Sequence, residues 1–337
     1  MHHRFLAVLF ALSVGSAAIA QDYTMTPTSG PTTGGTEVTI KGQFGEWPYA
    51  VVFGSTPALE TRRVDAQTLV AKTPAHLPGV SEVRIFEYDI FLGTDLTFTF
   101  EGGIPEERFE RILLPVFTPP VQGAFGSEFH TRLRGATHGG PPAQFMTGFG
   151  LRETCQVICP EIPERDLTDW GVTFSFRDNG TSYEPNGKPG RFVFVDQNLV
   201  EALSLNLRVF DVSRTGLNFG TQIPVVPESA FKPGRLTLLG VPGDTRFRNT
   251  LRIYAVQPVT VDVLVNGQVN RTVSLLPGTT IFDPAYTQIG DLPAGGEDMQ
   301  ITILENGPTD GPATPIWAFV TVTNNETQLI TTIAPMP

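Results

Sequence analysis

Between Pro27 and Gly42 the chain reads PTSGPTTGGTEVTIKG, and no other stretch limits the fold as much. A Pro/Ser/Gly turn runs into Gly34-Gly35, which can take the positive φ of a tight turn at no steric cost. After it, Thr36, Val38 and Ile40 alternate with Glu37, Thr39 and Lys41. A period of two puts the first three on one face of a strand and the others on the opposite face, the mark of a half-buried strand. The pattern recurs in VVFG at 51–54, TLVAKTP at 68–74, SEVRIFEY at 81–88 and DLTFTF at 95–100. Five or more short strands within about 80 residues predict an all-β fold, with a β-sandwich as the natural solution. The 34 Gly, 29 Pro and 24 Phe fit strands cut by turns better than long helices.

The first residues read differently. His2, His3 and Arg4 precede an apolar run from Phe5 to Val14, and Ala18-Ile19-Ala20 is a small-x-small site. This is the pattern of a signal peptide, residues 1–20, with a mature chain expected to start at Gln21. The apolar run is short of the ~20 residues of a membrane span, and no later stretch is long enough to cross as a helix. The formal charge is −11, and removing Arg4 with the leader leaves 22 basic against 34 acidic residues, or −12. Such a surface repels phosphate backbones and anionic headgroups, so nucleic acid is not an expected partner.

Several motifs between Pro27 and Phe100 stand in a fixed order: P-x-S-G-P at 27–31, GGT at 34–36, V-x-I-x-G at 38–42, VxFG at 51–54 and TP at 73–74, then an aromatic closing strand. In that order they resemble the IPT/TIG family, the immunoglobulin-like fold shared by plexins and transcription factors. The resemblance implies a non-catalytic immunoglobulin-like module over residues 22–102. In secreted bacterial proteins such modules resemble spacers, adhesion units or accessory binding domains. The loop from Gly45 to Tyr49 departs from many members by carrying Trp47 and Tyr49. Two aromatics there either pack the sandwich end or form a sugar-stacking platform; they are the candidate binding residues.

Past residue 104 the chain repeats itself loosely. Arg111-Ile-Leu-Leu and F-H-T-R-L-R at 129–134 resemble Arg235-Leu-Thr-Leu-Leu and F-R-N-T-L-R at 247–252. The segment 205–227 resembles 316–337, each an apolar alternating strand, a polar turn and a last strand ending in proline. We read two related β-sandwich units, 104–231 and 232–337, resembling exported bacterial β-repeat domains of unassigned activity. EERFER at 106–111 reads as a charged linker or one helical turn, and Gln197 to Leu203 as a turn or two of helix. Asp178-Asn179-Gly180 and Asn266-Gly267 read as hairpin turns, the second the stronger.

The cysteines Cys155 and Cys159 are the chain's only two. In an oxidising compartment so close a pair is expected to form a small-loop disulfide. Zinc would need two more ligands, and His76, His130 and His138 are not at ligand spacing. No G-x-S-x-G elbow occurs, and Ser127 lies three residues before His130, a spacing that puts them on opposite faces of a strand. Glu161, Glu164, Asp166 and Asp169 read first as a solvated loop. Asp178-Asn179-Gly180 and Gly295-Gly296-Glu297-Asp298 are too sparse for a calcium loop. No cofactor or metal is expected. The leading expectation is an exported, non-enzymatic, multi-domain β protein serving binding, adhesion or scaffolding at the cell envelope, periplasmic, cell-surface or secreted. Its partner would be an envelope protein or a glycan. The alternatives are an accessory carbohydrate-binding protein using Trp47, Tyr49, Trp170 or Trp317, and a secreted hydrolase with its site in 104–337.

Overall fold

The computed structural model describes residues 23–335 except 55, 89, 93–94, 118–119, 138–142, 154–161, 168–171, 176–189, 214–218, 279, 294–297 and 308–310. Secondary structure in the described residues is almost all strand. The chain divides into two compact units, Met1–Gly103 and Ile104–Pro337.

The first unit holds β1 (Thr24–Thr26), β2 (Ser29–Pro31), β3 (Glu37–Lys41), β4 (Tyr49–Phe53), β5 (Thr56–Pro57), β6 (Glu60–Asp65), β7 (Thr68–Lys72), β8 (Gly79–Glu87), β9 (Ile90–Phe91) and β10 (Thr97–Glu101). One sheet runs β1-β3-β7-β6; the other runs β2-β10-β8-β4-β5, with β9 paired to β8. All these pairings are antiparallel except β2 with β10. Val38 and Ile40 of β3 are buried while Glu37 and Lys41 are exposed, as the alternation predicts. They meet Val51, Phe53, Val83 and Phe98 of the other sheet in one apolar core. Gly34 and Gly35 have φ of 74° and 85°. A Cβ on Gly34 would lie 2.4 Å from the Pro74 carbonyl, so glycine is required there by space as well as by φ. His76 is a core residue of this sandwich, its ring stacked on Phe100 at 4.3 Å.

The second unit opens with β11 (Phe109–Leu114), β12 (Val121–Gln122), β13 (Glu128–Thr137), β14 (Ala143–Glu153), β15 (Ile162–Leu167), β16 (Val172–Ser175), β17 (Arg191–Asp196), β18 (Leu203–Asp211), β19 (Thr221–Ile223) and β20 (Val226–Pro227). These form one sheet with the path β19-β18-β13-β16-β14-β17-β11-β20. A 3₁₀ helix covers Gln197–Ala202, where the sequence predicts a helical turn. EERFER is divided: Glu106 to Arg108 make a turn, and Phe109, buried, already begins β11.

β21 (Lys232–Pro233), β22 (Arg235–Pro242), β23 (Phe247–Ala255), β24 (Val259–Val265), β25 (Gln268–Leu275), β26 (Ala285–Ile289), β27 (Asp298–Glu305), β28 (Pro315–Asn324) and β29 (Ile330–Ile333) follow. Their sheets are β21-β28-β23-β26, with β29 on β28, and β22-β27-β24-β25. Leu236, Ile303 and Val263 of one sheet pack on Ile253, Ala318 and Val320 of the other. The pairings β11–β17, β13–β18 and β18–β19 recur in the same chain order as β22–β27, β23–β28 and β28–β29.

Five consecutive residues of β17, Arg191 to Val195, are buried, so this strand is covered on both faces. Residues near 282 supply part of the cover. The Phe192 amide donates to Phe282 O at 2.7 Å, and the Phe194 and Phe282 rings meet edge to face at 5.3 Å. Arg191 pairs with Asp283 beside them.

Candidate functional site

The Gly45–Tyr49 loop joins β3 to β4. Phe44 anchors its start: the residue is buried, and its carbonyl accepts from Arg63 Nε at 3.3 Å and Nη2 at 3.2 Å. Tyr49 turns inward. Its ring meets Phe44 edge to face at 5.4 Å, and its hydroxyl donates to Glu87 Oε1 at 2.8 Å. Burial first, and then the bond to the Glu87 carboxylate, push the Tyr49 phenol up to about 12. Tyr49 therefore closes the sandwich end rather than presenting a ring to solvent.

Trp47 does the opposite. It is 55% exposed, and its ring neighbour is Tyr88, 58% exposed, with centroids 5.4 Å apart and planes inclined at 47°. Tyr88 follows β8 at a left-handed φ of 54°, and its amide donates to Pro48 O at 3.1 Å. That bond ties the two aromatic loops together. Gly45 makes room beneath: a Cβ there would come within 3.2 Å of Trp47 Cδ1 and 3.1 Å of Glu87 Oε1. Phe86, two residues before Tyr88, meets Phe91 of β9 at 5.7 Å, and Phe91 is 47% exposed. The two ring pairs make an aromatic ledge along one end of the β2-β10-β8-β4-β5 sheet. Rings of this size carry much contact area at low entropic cost.

The sequence singled out Trp47 and Tyr49 together; the structure separates them and gives Trp47 a different partner. Tyr88, Phe86 and Phe91 were missed. Phe86 and Phe91 are cross-strand partners; Phe86 is half-buried, an even position of β8 turned away from the core that Val83 and Ile85 enter, and Phe91 on β9 is the more exposed of the two. That alternation was legible; the β9 strand that doubles back beside it was not.

Of the other aromatics considered for a sugar platform, Trp317 is only 3% exposed and stacks on Phe319 at 5.3 Å, so it offers no surface. Trp170 lies outside the described residues. So do Cys155 and Cys159, Glu161, Asp169, Asp178-Asn179-Gly180 and Gly295-Gly296-Glu297. Ser127 is buried, and His130 Nε2 lies 2.8 Å from Glu128 Oε1 in the same strand. Among the described residues no group of three His, Cys, Asp or Glu side chains is placed to hold a metal ion. None of the described helices is long and apolar enough to cross a membrane.

A two-sheet sandwich, antiparallel except where β2 joins β10, with a core drawn from both inner faces defines the first unit as immunoglobulin-like. Residues 23–100 match the family model of the IPT/TIG domain. No curated protein matches the chain in sequence. Among solved structures the chain is similar to InvD of Yersinia pseudotuberculosis, with 9% identity, 90% of this chain and 92% of that one covered, and a TM-score of 0.20. It is also similar to invasin, described as a bacterial integrin-binding protein, with 11% identity, 94% and 60% covered, and a TM-score of 0.19. At these scores neither likeness bears on function.

Proposed function

We propose that this is an exported, non-catalytic binding protein that docks a protein partner at the cell envelope through the ledge Trp47, Tyr88, Phe86 and Phe91. In this reading the immunoglobulin-like domain 22–102 carries the contact, and the rest of the chain comprises two related β-units, 104–231 and 232–337. The observation that carries the proposal is the exposure of Trp47, Tyr88 and Phe91 on a domain in which Phe53, Phe98 and Phe100 are fully buried. A folded domain that spends its aromatic residues on the core and leaves such a cluster in water has a use for it. The IPT/TIG match supports a binding module, and the leader at 1–20 supports export.

A protein partner is favoured over a glycan because the Trp47 and Tyr88 planes are inclined rather than flat, and because Ile90 and Phe91 extend the apolar surface beside them. The test is retention of the full chain on immobilised envelope proteins and, in parallel, on insoluble polysaccharides. A Trp47→Ala/Tyr88→Ala variant runs beside the parent. Truncating two central aromatics costs about 2 kcal/mol or more, roughly a thirtyfold loss of affinity. We expect retention on the protein fraction, lost in the variant. Retention on one polysaccharide, lost in the same variant, would transfer the ledge to carbohydrate recognition.

A further inference from the structure

We propose that the Trp47–Tyr88 pair receives a cationic side chain, arginine or lysine, from a basic partner protein. The proposal rests on the binding role given above and adds the chemistry of the partner.

Ring faces of Trp and Tyr carry the negative lobe of a quadrupole and attract a cation within about 6 Å. This chain uses that attraction internally. Arg84 lies 5.9 Å from the Phe86 ring, Arg132 4.9 Å from Phe210, and Arg111 5.6 Å from Phe192. Among the described residues, no arginine or lysine lies over Trp47 or Tyr88. The nearby basic residues are committed elsewhere. Arg63 donates to Phe44 O, and Arg84 Nη2 donates to Gly54 O. The two rings, inclined at 47° with centroids 5.4 Å apart, are each more than half exposed, so a compact head group can reach them.

The rim carries the opposite charge. Glu46 is exposed beside Trp47, and Glu87 precedes Tyr88 with its carboxylate held at the Tyr49 hydroxyl. The net charge of −11 adds a long-range attraction for basic surfaces. An aromatic pair with an acidic rim suits a cation better than a neutral sugar, and it disfavours an acidic partner.

The test follows the Trp47 indole N–H resonance of the full chain, assigned by its loss in Trp47→Phe, during titration with hexa-arginine and hexa-lysine peptides. A saturable shift is expected. Tyr88→Leu should weaken binding about threefold to thirtyfold, while Tyr88→Phe, which keeps the ring, should hold most of the affinity. Glu46→Gln should weaken binding and flatten its salt dependence. Absence of a saturable shift with either peptide overturns the proposal, and so does a Tyr88→Leu variant that binds as tightly as the parent. If envelope protein is still lost from the Trp47→Ala/Tyr88→Ala variant in those cases, the binding role stands and only the cation is wrong. If retention fails as well, both fall.

Discussion

Tyr254 and Tyr286 show what single side chains contribute to the second unit. Tyr254 is fully buried and donates its hydroxyl hydrogen to Pro115 O, and Tyr286 donates to Gln288 Oε1 at 2.7 Å. Burial pushes the Tyr254 phenol well above its ordinary value and that of Tyr286 up to about 12, with Arg252 opposing in both. An acid whose pKa is raised on folding holds its proton more tightly in the folded state. Its contribution is complete below the unfolded value near 10 and is lost as pH climbs from there through the folded value. For Tyr286, raised from 10.0 to about 12, that is about 3 kcal/mol. We expect the phenolate absorbance of these two residues to rise only as near-UV circular dichroism collapses, above about pH 10. Ordinary titration of all six tyrosines with the native spectrum intact would show the phenols to be solvated.

At the scale of elements, the β24–β25 hairpin is the clearest case of local chemistry setting local structure. Asn266 and Gly267 have φ of 50° and 79°, both positive, as a type I′ turn requires. Asn266 adds a tertiary role: its amide donates to Gln300 O at 2.9 Å and its Oδ1 accepts from the Gln300 amide at 2.8 Å, pinning the turn to β27. A Cβ on Gly267 would meet nothing within 4 Å. Gly267→Ala therefore isolates the conformational cost of the left-handed region, about 1 kcal/mol. The expected drop in thermal midpoint is about 2–4 °C. An unchanged midpoint would mean that the turn relaxes to another type. β17 is the opposite case. Its run RFVFV alternates nothing, because both of its faces are covered.

At the scale of the whole second unit, the outer face of the β23–β28 pair is aromatic. Tyr254, Trp317 and Tyr286 lie together, with centroids 5.0 Å and 6.1 Å from Tyr254. Residues from 104–231 press on them. Pro115 O accepts the Tyr254 hydroxyl, and a Cβ on Gly190 would lie 2.6 Å from Tyr254 Cε1. Phe282, Asp283 and β17 extend this layer, and Thr221 Oγ1 donates to Ile330 O at 2.6 Å. A shared layer of this kind couples the sheets before and after residue 231 in unfolding. Phe282→Ala should cost about 2 kcal/mol, less than a full core deletion because the ring is half-buried. Hydrogen exchange should then rise in β11 and β23 alike. Loss of protection confined to the residues around Ala285–Ile289 would show that the sheets on either side of the layer open separately.

The sequence by itself determined the all-β class, the Gly34-Gly35 turn, the Asn266-Gly267 hairpin and the IPT/TIG pattern over residues 27–100, within the 23–100 of the family match. These depend on period and on φ, which neighbours along the chain settle among themselves. It singled out Trp47 and Tyr49 together, but only the tertiary structure decided that Tyr49 turns inward and that Tyr88 stands beside Trp47 in its place. It placed Trp317 among the exposed candidates, and the fold buries it. Both differences have one physical reason. Whether a ring faces water depends on what packs beside it, and those neighbours come from far along the chain: Glu87 for Tyr49, Tyr88 for Trp47 and, for the Trp317 layer, residues such as Pro115. Composition and alternation carry no record of such distant neighbours.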